Sequence, residues 1–147
     1  SYRLWHLARG RFSAVVYGDG NRFADGIRYM ADIFAELGGP RRVLYFGDLD
    51  PQGLVIPQEA SARALAIGLP AVEPHLWSYR ALLALGEGHS QPWEGESPSS
   101  TLCDWLEDCA EPARLLFSAS RRLAQEYVGW EDLRGKNHAD EESVQAS

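Results

Sequence analysis

The stretch Val43-Leu44-Tyr45-Phe46-Gly47-Asp48-Leu49-Asp50-Pro51-Gln52-Gly53 constrains the chain more than any other. Residues 42–47 are almost continuously apolar, the pattern of a strand buried on both faces, which is how strands of parallel sheets read. The run halts on a glycine, two aspartates two positions apart and a Pro-x-Gly, residue types that stop a strand and open a helix. Parallel neighbours need a crossover, so strands and helices must alternate along the chain. Upstream they do. Residues 12–17 are a β-branched and aromatic run closed by Gly18-Asp19-Gly20-Asn21, and residues 22–37 place Phe23, Ile27, Met30, Ala31, Ile33, Phe34 and Leu37 at helical spacing before Gly38-Gly39-Pro40 ends them. The fold class expected is α/β, with a mostly parallel central sheet flanked by helices.

Beyond Gly53 the spacing predicts a helix over 54–67, with Pro57 in its first turn or interrupting it. Residues 72–79 hold a short strand that Pro74 argues against, and Ser78 is placed to cap a helix over 79–85. Residues 86–100 read as loop, a short helix starts at Thr101, and a long one is expected over 111–133. That last helix has Pro112 at its first position and Leu115, Leu116, Ala119, Leu123, Tyr127 and Trp130 as its apolar stripe. Residues 135–147 are polar and acidic, as a flexible tail would be.

At 147 residues and 45% hydrophobic, the chain has the content of one domain with an adequate core and excludes two large ones. No run approaches the roughly 18 apolar residues of a membrane span, and the first residues lack a signal-peptide pattern. Cys103 and Cys109, six apart in what reads as one helix, suggest neither a disulfide framework nor a zinc site, so a cytoplasmic protein is expected. The net charge of −7 excludes nucleic-acid binding by bulk attraction and leaves only local contacts. All basic residues except Lys136 are arginine, with clusters at Arg9/Arg11, Arg41/Arg42 and Arg121/Arg122. A solvated surface is their ordinary role; bidentate phosphate contact is the functional one.

Asp48 and Asp50 follow the carboxyl end of the buried strand, where open α/β sheets place their ligands. Mg²⁺ is commonly held by one or two carboxylates completed by water and phosphate oxygens, so this pair suits metal-assisted phosphoryl chemistry, and Gly47 and Gly53 allow a close backbone approach. The purely structural alternative has Asp50 capping a helix with Pro51 at its first position and Asp48 in the turn. Gly18 and Gly20 could cradle a phosphate before the helix at Arg22, but a lone Gly-x-Gly without the rest of a dinucleotide fingerprint is a weak signal and a plain loop is the preferred reading. His6, His75, His89 and His138 show no ligand spacing, and the five tryptophans recur at no fixed interval, which fits core packing better than a base-stacking platform.

The order strand, Gly47-Asp48-x-Asp50-x-x-Gly53, helix resembles the Toprim fold of topoisomerases, primases and related nucleases. Within that group residues 43–56 look most like the nuclease component of the bacterial Wadjet anti-plasmid systems, a relative of the topoisomerase VI A subunit. Residues 14–20 resemble the family's strand and glycine loop, and Arg122-x-x-Gln125-Glu126 resembles its late helix motif; the likeness spans residues 1–134. It implies a Rossmannoid Toprim-like domain in which Asp48 and Asp50 bind Mg²⁺ or Mn²⁺. It further implies that Glu126 joins them catalytically, and that Arg121, Arg122, Gly18 and Gly20 meet phosphate or DNA. It also implies DNA and the SMC-like subunits of a defence complex as partners, with a homodimer as a possible assembly. The family carries a catalytic glutamate in a Glu-Asn pair after its first strand. No such pair occurs here, and residues 1–9 resemble the helix that follows it, so the chain is expected to be a fragment starting just downstream.

Three readings follow. The first is a divalent-metal-dependent DNA nuclease domain of a bacterial anti-plasmid complex. The second is a non-catalytic Toprim-like module that binds DNA or a partner. An aspartyl-nucleophile phosphatase is the third, disfavoured because Gln52 stands where that family has Thr or Val.

Overall fold

The computed structural model describes residues 12–14, 16, 22–86, 88–95 and 98–128. By contact density the chain divides into one unit of residues 18–127 and another of residues 1–17 with 128–147. In the second unit the described residues form no regular element, with bends at Ser13 and Val128, so the strand expected over 12–17 is not formed at residues 12–14 and 16. Val15, Tyr17, the loop Gly18, Asp19 and Gly20, Trp130, the arginines at 9 and 11, His6, His138 and the acidic tail lie outside the described residues.

The unit of residues 18–127 is mixed α/β. Its first helical stretch is α1 (Arg22–Gly26), a 3-10 turn (Ile27–Tyr29) and α2 (Met30–Glu36). Of the predicted stripe Ile27, Met30 and Phe34 are buried and Phe23 and Ile33 pack against them, while Ala24 joins the core and Ala31 is exposed. Gly38 and Gly39, both at positive φ, end the stretch where the spacing placed its stop.

β1 (Val43–Tyr45) leads through the aspartate loop into α3 (Pro51–Ala66), and β2 (Val72–Pro74) returns parallel to β1 with Val43 opposite Val72 and Tyr45 opposite Pro74. The parallel crossover is therefore as expected, but β1 is shorter than the apolar run and half-buried along its length. Pro74 is tolerated because it closes the strand: His75 supplies the next donor, its N–H bonding to Tyr45 O at 2.8 Å. Pro57 neither opens nor breaks α3. It sits in the second turn, fully buried, and the residue four positions back, whose carbonyl a proline ring crowds, is Gly53. Ala60 and Ala64, also buried on α3, let α1 and Val72 pack closely and close a core of Ala24, Ile27, Met30, Phe34 and Val72.

α4 (Leu76–Ala84) starts three residues earlier than expected, with His75 rather than Ser78 before its first turn; Ser78 Oγ instead lies 2.7 Å from His75 Nδ1. The expected loop contains β3 (Gln91–Pro92), and beyond it come α5 (Ser100–Asp104), which holds Cys103, and a 3-10 turn (Glu107–Cys109), which holds Cys109. Both thiols are buried and free, on two elements rather than one helix.

The helix expected over 111–133 is formed only to Ser118 among the described residues, and residues 119–128 are not α-helical. α6 (Ala110–Ser118) buries Ala110, Ala113 and Phe117 and leaves Leu115 65% exposed, so the stripe read from the sequence is not the face that packs. Ser120 then takes a left-handed φ of 52°, which a helix cannot continue. The chain turns into β4 (Arg121–Arg122), antiparallel to β3, and ends its described part in a 3-10 turn (Gln125–Tyr127). Among the described residues the sheet content is thus one parallel pair and one antiparallel pair, not a mostly parallel central sheet.

Candidate functional site

The site is built where the end of β1 meets the segment after β4. Leu49 and Leu123 form an antiparallel bridge through two backbone hydrogen bonds, Leu49 N–H to Leu123 O at 2.9 Å and Leu123 N–H to Leu49 O at 3.2 Å. Both leucines are buried. In an extended segment successive side chains alternate, so with Leu49 in the core, Asp48 and Asp50 share the opposite side. Apolar packing on one leucine thereby aims two carboxylates together.

Asp50 is extended and caps α3: its Oδ1 accepts from Gly53 N–H at 2.7 Å, with Pro51 at the first helical position. The capping role is therefore real and uses one oxygen. Asp50 Oδ2 accepts from an Arg122 nitrogen at 3.2 Å, an ion pair in which the aspartate side chain is 10% exposed and the arginine 36%. Asp48 is half-buried; its Oδ1 accepts from Gln125 N–H at 2.9 Å, and its second oxygen accepts no hydrogen bond among the described residues. Both aspartates are thus tied to residues about seventy positions away.

Close approach explains the glycines. A Cβ on Gly53 would stand 2.1 Å from the Asp48 carbonyl oxygen, so the loop closes over this position only because it lacks one. The Gly47 N–H donates to the Tyr79 hydroxyl at 3.2 Å, and the Tyr45 ring lies over Gly47. Tyr45 packs against Phe23 and Trp105, and Tyr79 packs against Phe46 and Trp105, which makes an aromatic wall under the loop. Burial raises both phenols above their ordinary range, and the nearby Asp48 and Asp50 charges push the same way. The wall is neutral and holds the loop from below.

The other expected site residues fare differently. Arg121 is committed to Ser90, Nε to Oγ at 2.8 Å and a terminal nitrogen to the backbone oxygen; it staples β4 to the chain before β3, which spends on the protein the donors a phosphate clamp would use. Glu126 is exposed in a 3-10 turn, because the chain left the helical path at Ser120. No group of three His, Cys, Asp or Glu side chains able to hold a metal occurs among the described residues, so Glu126 does not join Asp48 and Asp50. Gly18 and Gly20 lie outside the described residues. Arg122 alone of the expected phosphate contacts reaches the aspartates among the described residues.

The donor set fits a hard cation supplied with further oxygen ligands. Asp48 offers an oxygen that accepts no hydrogen bond among the described residues, Asp50 offers one shared with Arg122, and a two-carboxylate site completed by water and phosphate is what Mg²⁺ accepts. Three residues that the sequence pattern did not mark as functional complete the site. Leu123 sets the register, Tyr79 fixes Gly47, and Gln125 contributes its backbone N–H, a contact that side-chain identity does not encode. Leu49, isolated between two aspartates, was visible in the sequence, but its pairing with Leu123, which is followed by Ala124, was not. Comparison with family models, curated proteins and solved structures finds no match to this chain.

Proposed function

We propose that the chain carries a Toprim-like, Mg²⁺- or Mn²⁺-dependent site for phosphodiester chemistry on DNA, as the nuclease domain of a bacterial anti-plasmid complex. The single observation that supports the reading most is the Arg122–Asp50 ion pair at the carboxyl end of a parallel β-α-β unit, on the side of the loop that side-chain alternation also gives to Asp48. When bound, the divalent ion supplies Lewis acidity at the scissile phosphate. Asp48 and Asp50 hold the ion, the first through the oxygen not bonded to Gln125 N–H. Arg122, the one arginine in contact with the pair among the described residues, is placed to meet the phosphate, and Leu49 with Leu123 keeps the carboxylates in register.

A second reading is favoured by one specific observation: no group of three His, Cys, Asp or Glu side chains able to hold a metal occurs among the described residues, and Glu126 is exposed. A two-carboxylate cation site is enough to grip a phosphate backbone without cutting it, so a metal-dependent DNA- or partner-binding module is the alternative. Incubating supercoiled plasmid with the purified chain in Mn²⁺ and in Mg²⁺, beside Mn²⁺ titration by electron paramagnetic resonance, separates the two. Nicking or linearisation that needs the metal and disappears in Asp48→Asn supports the nuclease. Mn²⁺ binding that needs Asp48, without cleavage, supports the module. Absence of Mn²⁺ binding at millimolar concentration removes both.

A further inference from the structure

The arginine that meets Asp50 points to a control built into the site, and the inference rests on the metal-binding reading above. We propose that Arg122 is a latch: its guanidinium occupies the oxygen of Asp50 that a divalent ion needs, so ion binding requires Arg122 to leave. Three observations carry it. Asp50 Oδ1 already accepts the Gly53 N–H that caps α3, so a cation on that oxygen competes with the cap, and the other oxygen, Oδ2, lies 3.2 Å from the Arg122 guanidinium. The contact is a single hydrogen bond from one nitrogen and not a bidentate fork, so it is a releasable form of the arginine–carboxylate pair. Finally, the guanidinium has a second resting point, because its other terminal nitrogen lies 3.3 Å from Gln91 Oε1 on β3, whose own amide reaches the Tyr127 hydroxyl.

Charge makes the competition strong. A guanidinium and a divalent cation at the same carboxylate repel each other in a site where the aspartate is nearly removed from water, and little solvent lies between them. Arg122 is thus an internal counter-ion that keeps buried Asp50 paired, at a cost to affinity for the ion. A phosphate oxygen that draws the guanidinium off would give Asp50 back to the metal.

The test is Mn²⁺ affinity of the full chain, read by electron paramagnetic resonance, for the unmodified protein, Arg122→Gln and Arg122→Lys. The latch requires Arg122→Gln to bind Mn²⁺ about tenfold more tightly, within the usual span of coupling between two ligands of one site, and Arg122→Lys, which keeps the charge, to stay near the unmodified protein. Thermal melting guards against a folding artefact. Arg122→Gln, with Asp50 left without its cation, should melt lower than the unmodified protein in chelator and recover more on adding Mn²⁺. Equal or weaker Mn²⁺ binding by a folded Arg122→Gln overturns the latch while leaving the metal site standing. No Mn²⁺ binding by any of the three proteins, each folded, overturns the metal site and the latch with it.

Discussion

Gly53 illustrates how much a single residue decides. It lies in the first turn of α3, where alanine would ordinarily be better by up to about 1 kcal/mol. A Cβ there would meet the backbone oxygen of Asp48 at 2.1 Å, and backbone cannot swing aside as a side-chain tip does. Overpacking of this kind costs about 1–3 kcal/mol, so the clash outweighs the propensity. Gly53→Ala should therefore lose about 1–2 kcal/mol in urea unfolding, and it should weaken any Mn²⁺ binding, since the displaced carbonyl belongs to Asp48. At Gly47 the nearest obstacle is the Tyr45 hydroxyl, the far end of a side chain, so Gly47→Ala should cost less. A measured order with Gly47→Ala the more damaging would mean that the aromatic wall, and not the loop backbone, is the rigid part. These residue-scale demands were partly legible. The Gly-Asp-x-Asp-Pro-x-Gly string marked the close approach and the cap, both of which are local in sequence. It could not announce Gln125 N–H or Arg122 as partners, because those contacts span more than seventy residues.

At the scale of elements, legibility follows the range of the forces that make each one. The stretch 22–36 and helix α3 came out of periodicity because their buried faces are continuous stripes with local stop signals. The segment after α6 did not. Leu115, Leu116, Ala119 and Leu123 imitate a helical stripe, yet β3, β4 and the Leu49–Leu123 bridge win by pairing segments thirty and more than seventy residues apart, through a left-handed Ser120 that no periodicity reports. Two-residue strands supply few ladder bonds, so side chains must hold them, and Arg121 does so through its two contacts to Ser90. Hydrogen bonds to a charged group contribute about 1.5–3 kcal/mol each, less whatever water restores at a half-exposed site. Arg121→Ala should lower the unfolding free energy by about 1–3 kcal/mol in a urea titration. It should leave the Mn²⁺ dissociation constant within a factor of about two, in contrast to Arg122→Gln. A loss of metal or DNA affinity with unchanged stability would instead return Arg121 to the role of phosphate contact.

For the molecule as a whole, the α/β class and the β1-α3-β2 crossover could be read from one apolar run and the punctuation after it, whereas the extent of the sheet could not, since apolar runs do not say which strands meet. What the whole unit does with its charge is a question of pH. On the acid side, Arg42 holds the Glu73 carboxyl and Arg80 holds the Asp108 carboxyl below their ordinary values, each chiefly through a side-chain hydrogen bond. A depressed carboxyl contributes stability above its unfolded pKa and loses it as pH falls through the folded one, but these pairs are exposed and salt-screened, so the acid-side slope should be shallow. The alkaline side should be steeper. Burial, helped by the Asp108 charge, pushes the Cys109 thiol from its ordinary 9.0 up to about 11, and burial also raises Cys103. Below pH 9 the thiol keeps its proton in both states and the contribution is whole. Between about 9 and 11 the unfolded chain gives up the proton while the folded one retains it, so the unfolded state binds fewer protons and stability falls as pH rises. Urea midpoints should accordingly decline from pH 9 to 11, and Cys109→Ala should decline less steeply over that window, whatever its stability at neutral pH. Parallel slopes for the two proteins would place the alkaline loss elsewhere. The raised phenols of Tyr45 and Tyr79 are then the groups to examine, which would tie alkaline unfolding to the wall beneath the aspartate loop.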